Sequence, residues 1–165
     1  MNFEDFIVNV PDFPKKGIIF KDISPLLANN FSEMIAEMGK LVDWTEIDVI
    51  AGIESRGFIL GSGLAARYSK GFIPVRKKGK LPPPVISHSY DLEYGSDTLE
   101  IKPNASSKRV LIVDDVLATG GTMKAAITLC EKANYKVSGL MVLINLKFLN
   151  TFEQDGIKVK SILNY

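Results

Sequence analysis

The sequence predicts an α/β protein with a mostly parallel central sheet flanked by helices. Three observations carry that prediction. The runs Val49–Ile53, Val110–Val113 and Val137–Ile144 are almost continuously apolar, as strands covered on both faces must be. Segments with apolar residues spaced for one helical face alternate with them. Buried strands alternating with helices imply parallel pairing through right-handed crossovers. The chain has 165 residues, close to the length of about 150 expected of one domain, so a single domain over 1–165 is expected.

Each element follows in order. Phe13–Pro25 contains Pro14, Gly17 and Pro25 and reads as a stiff loop that excludes helix. Asn30–Asp43 places Phe31, Met34, Ile35, Met38, Leu41 and Val42 on one helical face. Val49–Ile53 is a buried strand that ends in an acid. Gly57–Ser69 reads as a helix with small residues on one face. Its Gly61-Ser62-Gly63 run lies inside the helical pattern, well past the strand end, with no acid about 20 residues on, so it reads as close packing and not as a dinucleotide fingerprint. Phe72–Arg76 is a second strand. Lys77–Ser89, with Gly79 and Pro82, Pro83 and Pro84, is a second stiff loop. Tyr90–Tyr94 and Thr98–Lys102 alternate around Gly95-Ser96-Asp97, which is hairpin chemistry. Val110–Val113 runs into Asp114-Asp115, Thr122–Ala133 is helical, Val137–Ile144 is a buried strand, and Val159–Leu163 fits an edge strand.

Composition removes several classes. Lys and Arg number 20 against 19 Asp and Glu, a net charge of +1, without the basic excess of a dedicated nucleic-acid binder. At 46% apolar and 24% charged the chain is not of a disordered type. One cysteine, Cys130, and one histidine, His88, give neither an internal disulfide nor a zinc site; Cys130 reads as buried packing. Apolar stretches such as Leu140–Ile144 fall far short of the ~20 residues of a membrane span. The start carries Glu4, Asp5 and Asp12 and lacks the apolar region of a signal peptide, so cytoplasm is expected.

Ligands of open parallel sheets bind beyond the carboxyl ends of the strands. That rule selects Glu54–Gly57, Lys77–Pro82 and Asp114–Thr122. In the last segment a buried strand delivers two acids, and a loop with two glycines then opens a helix. Orphan amides and the helix dipole make such a turn an anion site, and Thr119 and Thr122 add hydroxyls. The acids would repel the same anion; they are suited to sugar hydroxyls or a cation. A sugar phosphate satisfies both halves. The plainer alternative, a helix capped by Thr119 or Thr122, leaves two adjacent acids at a buried strand end without partners, which is costly. The segment is not a P-loop, and Gly79-Lys80 is followed by Leu81. Arg56 offers paired planar donors to phosphate oxygens, or forms a surface ion pair. Arg76, Lys77, Lys78 and Lys80 are either an anion cluster or a solvated loop, and for Lys78 the solvated loop is preferred.

Asp114-Asp115-x-x-Ala118-Thr119-Gly120-Gly121-Thr122 resembles the phosphoribosyl-pyrophosphate signature of the type I phosphoribosyltransferases. Phe13–Leu27, Gly52–Phe58, Arg76–Pro82 and Tyr90–Gly95 together resemble the adenine phosphoribosyltransferase family, in order and over nearly the whole chain. The resemblance implies that family's fold, with a small N-terminal hood (1–29) packed on the core and a β-hairpin lid near Pro82–Asp91. It implies purine salvage: adenine and phosphoribosyl pyrophosphate give AMP and pyrophosphate. It also implies Mg²⁺ held mainly through substrate without a dedicated protein cage, a homodimer, and neither nucleic-acid nor membrane partners.

Residue by residue, the resemblance has Ala118, Thr119, Gly120, Gly121 and Thr122 bind the 5′-phosphate, and Asp114 and Asp115 contact the ribose hydroxyls beside the metal. Glu54, Ser55, Arg56 and Gly57 match the pyrophosphate loop, where this fold class often carries a non-proline cis peptide. Arg76 and Lys80 assist the pyrophosphate, with a route across a dimer interface. Glu93 exchanges the proton at purine N7, for which a closed, dry site would raise its pKa; its alternative is a hairpin surface acid. Tyr94 packs beside the ribose. Main-chain groups near Ile19 and Lys21 read the adenine edge, and Phe20 either stacks on the ring or packs in the core. His88 is given no catalytic role. Lys78 and Pro83-Pro84 depart from the family pattern, which bears on loop mobility. The rivals are a sister enzyme for hypoxanthine, guanine or xanthine, and a non-catalytic phosphoribosyl-pyrophosphate sensor, for whose DNA-binding domain no residues remain.

Overall fold

The structure is a computed structural model that describes residues 1–92 and 95–165. In chain order the elements are β1 (Val8–Pro11), β2 (Ile19–Asp22), α1 (Ser24–Gly39), β3 (Val49–Ile53), α2 (Arg56–Arg67), β4 (Gly71–Lys77), β5 (Ile86–Leu92), β6 (Gly95–Ile101), β7 (Lys108–Leu117), α3 (Gly121–Lys132), β8 (Tyr135–Asn145), β9 (Glu153–Gln154) and β10 (Ile157–Asn164). Eight strands form one sheet in the order β5-β6-β4-β3-β7-β8-β10-β9. Within it β4, β3, β7, β8 and β10 run parallel, and the β5–β6 hairpin joins antiparallel at β4. β1 and β2 form a separate antiparallel ribbon.

Both sheet faces are covered, which is why the parallel strands read as unbroken apolar runs. Successive side chains point to opposite faces. Val49, Ala51 and Ile53 of β3 join Val110, Ile112, Leu140 and Val142 in a core closed by Met123, Ala126 and Cys130 of α3. Ile50, Leu111, Val113 and Met141 face the other core, closed by Met34 and Met38 of α1 and Leu60 and Leu64 of α2. Each fully buried Leu or Ile contributes about 1.5–3 kcal/mol in removed apolar surface. The small-residue face of α2 packs as expected: a Cβ on Gly61 would meet the Phe72 ring at 2.9 Å, and one on Gly63 would meet Ile35 and Phe31 of α1 at 2.9 Å.

The boundaries differ from the sequence expectation in several places. β7 continues to Leu117, so Asp114 and Asp115 lie within the strand and not beyond its end. β5 begins at Ile86, inside the stretch read as the second stiff loop. α1 starts at Ser24, not Asn30, because Pro25 sits in its first turn, where a missing N–H costs nothing. Asp22 Oδ1 accepts from Ser24 N (2.9 Å) and Oγ (2.6 Å) at that end. A local departure at Asn30 (φ −138°) divides the helix, so only its second half shows clean periodicity. It ends at Gly39, whose carbonyl accepts from the Trp44 indole at 2.9 Å; Leu41 and Val42 pack on the core from outside the helix. The Phe13–Pro25 stretch is not all loop, since β2 crosses it. Gly95-Ser96-Asp97 is strand, because Leu92 pairs with Gly95, Asp91 with Ser96 and Tyr90 with Asp97. β10 is not the edge: β9 pairs with it at Ile157 and Lys158.

Close approach between β3 and α2 gives the first test. A Cβ on Gly52 would lie 2.7 Å from the Gly57 carbonyl oxygen and 2.7 Å from the Phe72 ring, whereas one on Gly71 would meet only Val49, at 3.4 Å. Gly52→Ala is expected to cost about 1–3 kcal/mol through overpacking. Thermal unfolding should then show Tm lowered by roughly 2–4 °C per kcal/mol, with Gly71→Ala nearly silent.

Candidate active site

Register places the site. Gly52 of β3 lies beside Val113 of β7, and Ile53 beside Val75 of β4. The loops that leave these three strands therefore meet at one edge of the sheet. Gly57, in the first turn of α2, packs against β7 at Val113 and Asp114: a Cβ there would fall 2.8 Å from the Val113 carbonyl oxygen and 3.1 Å from Asp114 Oδ1. The Glu54–Ser55 peptide just before it is cis.

The loop after β7 turns into α3 through Gly120, whose φ of +95° an L side chain rarely adopts. Neither Thr119 nor Thr122 caps the helix; the cap position is Gly120 and carries no side-chain bond. Asp114, Ala118, Thr119, Gly120, Gly121 and Thr122 line a concavity of about 100 Å³. The first amides of α3 thus open onto a hollow of polar backbone, the arrangement that favours an anion.

The two acids of β7 have separate environments. Asp115 is 7% exposed, and its Oδ2 lies 2.6 Å from Arg56 Nε without accepting a hydrogen bond. Asp114 Oδ1 accepts from the Asp115 amide at 2.9 Å. Burial first, and the neighbouring Asp115 charge second, hold the Asp114 carboxyl well above the ordinary carboxylate range. This pair has excess negative character that a cation or hydroxyl donors would relieve. Among the described residues no cluster of three or more His, Cys, Asp or Glu is arranged to hold a metal ion.

Glu54 organises the neighbouring cations. Its Oε1 accepts from Arg76 Nη2 (2.8 Å) and Lys80 Nζ (3.1 Å), and its Oε2 from the Lys77 amide (2.9 Å). Burial alone would raise its pKa; the Lys77, Arg76 and Lys80 bonds outweigh that and bring it down to about 2. Lys77 itself pairs with Asp97, and the Lys78 side chain is exposed, as the solvated-loop reading has it. Buried Glu100 accepts from the Gly79 amide at 2.5 Å and fixes the turn that carries Lys80.

On the other side of Arg56, Val10, Phe13, Phe20, Asp22, Ser24, Ser55 and Arg56 line a cavity of about 500 Å³ under the β1–β2 ribbon. The Arg56 guanidinium lies 4.6 Å from the Phe20 ring centre, and Phe13 meets Phe20 edge-on at 5.1 Å. Phe20 therefore borders the cavity and is not core. The side chains of Ile19 and Lys21 do not line it. Ile19 is exposed, and Lys21 Nζ bonds Asn9 Oδ1 at 2.8 Å above the Tyr165 ring. His88 is on β5, its Nδ1 3.0 Å from Lys132 Nζ of α3. Glu93 and Tyr94 lie outside the described residues. Cys130 is buried in the α3 core, and burial pushes its thiol up to about 12.

Residues 22–159 match the family model of the phosphoribosyl transferase domain. The adenine phosphoribosyltransferase of Bdellovibrio bacteriovorus is 52% identical over the full length of both chains. The chain belongs to the adenine phosphoribosyltransferase family. Among solved structures, the adenine phosphoribosyltransferase of Thermoanaerobacter pseudethanolicus superposes with a TM-score of 0.90 at 42% identity, covering 99% of this chain and 100% of that one. The Saccharomyces cerevisiae adenine phosphoribosyltransferase, solved with an imino-altritol bisphosphate and adenine, superposes at 0.84 with 35% identity, covering 98% and 96%. The fold is that of the type I phosphoribosyltransferases, the curled, mostly parallel sheet expected from the sequence. No helix among the described residues is long and apolar enough to cross a membrane.

The structure adds residues to which the sequence reading gave no role. Asp22 and Ser24 line the ribbon cavity, and Glu100 supports the Lys80 turn. Asn150 reaches the 118–122 loop, donating to the Ala118 carbonyl at 2.8 Å. Only a strand register or a loop closure reveals these placements.

Two carboxylates give opposite stability signatures. Glu54 has a depressed pKa, so its contribution is full above the unfolded value near 4.5 and lost as pH falls toward about 2. Glu54→Gln should lose on the order of 2 kcal/mol at pH 7, and the deficit against the parent should shrink on acidification below 4.5. Asp114 has a raised pKa, so the folded state is penalised as pH rises. Asp114→Asn should raise Tm at pH 8, with the gain vanishing near pH 4. Melting curves across pH check both.

Proposed function

We propose that this chain transfers the 5-phosphoribosyl group from phosphoribosyl pyrophosphate to adenine in purine salvage, releasing AMP and pyrophosphate. One observation carries the reading. Arg56 stands between the ribbon cavity, where it meets Phe20, and β7, where it pairs with Asp115. A flat base under the ribbon and a sugar phosphate on the 118–122 loop would therefore be neighbours.

Adenine N9 attacks C1 of the sugar with inversion through an oxocarbenium-like transition state, and the C1–O bond to pyrophosphate breaks. The protein has little covalent chemistry to do; it positions two substrates and stabilises leaving-group charge. The amides and hydroxyls of Ala118, Thr119, Gly120, Gly121 and Thr122 hold the 5′-phosphate. Asp114 and Asp115 accept from the ribose hydroxyls. Ser55, Arg56 and Gly57 face the pyrophosphate, and Arg76 and Lys80, presented by Glu54, add positive charge to it. Main-chain groups near Ile19 and Lys21 read the base edge, with Phe20 against the ring. Glu93 exchanges the purine N7 proton, and Tyr94 packs beside the ribose.

Mg²⁺ belongs to this reading, since Asp114 and Asp115 place hard oxygen donors beside the sugar site, one of them an Asp115 oxygen that accepts no hydrogen bond. When bound, it neutralises pyrophosphate and ribose oxygens. A single domain, a homodimer and a cytoplasmic location go with the same reading.

The test offers the purified chain phosphoribosyl pyrophosphate and Mg²⁺ with adenine, hypoxanthine, guanine or xanthine, following nucleotide and pyrophosphate. AMP from adenine alone, lost with EDTA, is the expected outcome. Nucleotide from a 6-oxo purine would overturn the base assignment. Binding of phosphoribosyl pyrophosphate without product from any base would make the chain a sensor. Glu93→Gln should lower kcat by roughly 10²–10⁴, the span of general acid–base contributions.

A further inference from the structure

We infer that Asn150 is a positioning residue for the 5′-phosphate: it holds the 118–122 loop from the side opposite the ligand. This rests on the function proposed above.

The loop leaves β7 at Leu117 with few fixed points of its own. Leu117 is tied to the next strand, its carbonyl accepting from Leu146 N at 2.9 Å. The next carbonyl, Ala118, belongs to an exposed residue, and its partner is the side-chain amide of Asn150 at 2.8 Å. The two hydrogens of the same Nδ2 are shared with the Leu146 carbonyl (2.9 Å) and Oδ1 of Asn145 (3.1 Å), a residue only 7% exposed. Asn150 Oδ1 accepts from Phe152 N at 3.0 Å, and the Phe152 ring occupies the space where a Gly120 Cβ would be. One side chain thus joins the loop to the end of β8 and to the ring that backs Gly120.

Peptide planarity gives this anchor its consequence. The Ala118–Thr119 peptide is trans, so its C=O and N–H point in opposite directions. With the carbonyl fixed on Asn150, the Thr119 N–H faces away from Asn150. Asn150 and Phe152 are not among the residues that line the concavity, whereas Ala118, Thr119 and Gly120 are. The anchor therefore acts on the orientation of an amide aimed at the phosphate without touching the phosphate. Because the pinned dipole is fixed before binding, the loop need not reorganise when the anion arrives.

Binding and steady-state assays on the full-length chain separate this from a general packing role. Asn150→Asp keeps the acceptor for Phe152 N but removes every Nδ2 donation; Asn150→Ala removes both. AMP and phosphoribosyl pyrophosphate carry a 5′-phosphate, whereas adenine and pyrophosphate do not. The expected result for Asn150→Asp is a roughly tenfold rise in Kd for AMP and in KM for phosphoribosyl pyrophosphate, a change of about 1.4 kcal/mol. KM for adenine and Kd for pyrophosphate should stay within about twofold, which also reports that the variant is folded. Asn150→Ala should follow the same split. Unchanged AMP binding in both variants, or equal losses for all four ligands, would overturn the assignment. A parent chain that binds no AMP would overturn the functional reading and this inference with it.

Discussion

The close approach of α2 to β7 at Gly57 sets the geometry of the whole carboxyl edge. β3 and β7 are parallel neighbours in register, so the chain leaving β3 must turn at once across the mouth of β7. With no Cβ at residue 57, the backbone comes against the Val113 carbonyl and the Asp114 side chain. That contact brings Arg56 to Asp115, and Glu54 to the cations leaving β4. A side chain at 57 would push the two loops apart and separate the ribbon cavity from the 118–122 loop. The sheet topology makes the meeting of loops inevitable; the missing methyl makes it close.

Charge at this edge is arranged in pairs, with one member left over. Glu54 holds Arg76 and Lys80, and Asp115 holds Arg56, so the cations are oriented before any anionic ligand is present. Their partly buried positions keep these attractions less screened than at an open surface. A phosphate that arrives shares donors already in place and needs no long side chains to be ordered for it. Asp114 is the exception, next to a like charge and pushed toward its neutral form. An edge built for polyanions thus keeps one carboxyl whose ionisation is favoured only by a positive or hydrogen-donating partner.

The central sheet was legible because apolar runs covered on both faces leave no ambiguity: Val49–Ile53 matches β3 residue for residue. Asp114 to Thr122 was legible because two acids, two glycines and two threonines after such a run have few structural uses. What failed depended on contacts that composition does not encode. Pro25 hid the first turns of α1 because proline is compatible with a helix start as well as with a loop. β1 and β2 are four residues each, with no residue fully buried, so no alternation marks them. Gly95-Ser96-Asp97 has turn composition but strand pairing. Glu54 read as a pyrophosphate contact, and only its three donors reveal an acid that orients cations. Asn150 follows the Val137–Ile144 run in a segment without any motif, and its link to Ala118 joins the chain after β8 to the 118–122 loop.

The chemistry of Cys130 reaches beyond packing. It is the single cysteine of the chain, enclosed by the α3 core with its thiol pushed up to about 12. Burial disfavours its reactive thiolate, and the thiol is sterically enclosed as well. The natural chain is therefore already a blank background for thiol labelling. A cysteine introduced at exposed Ser96 on the β5–β6 hairpin would be the sole reactive thiol, so a fluorophore or spin label there would report hairpin motion without any prior removal of cysteines.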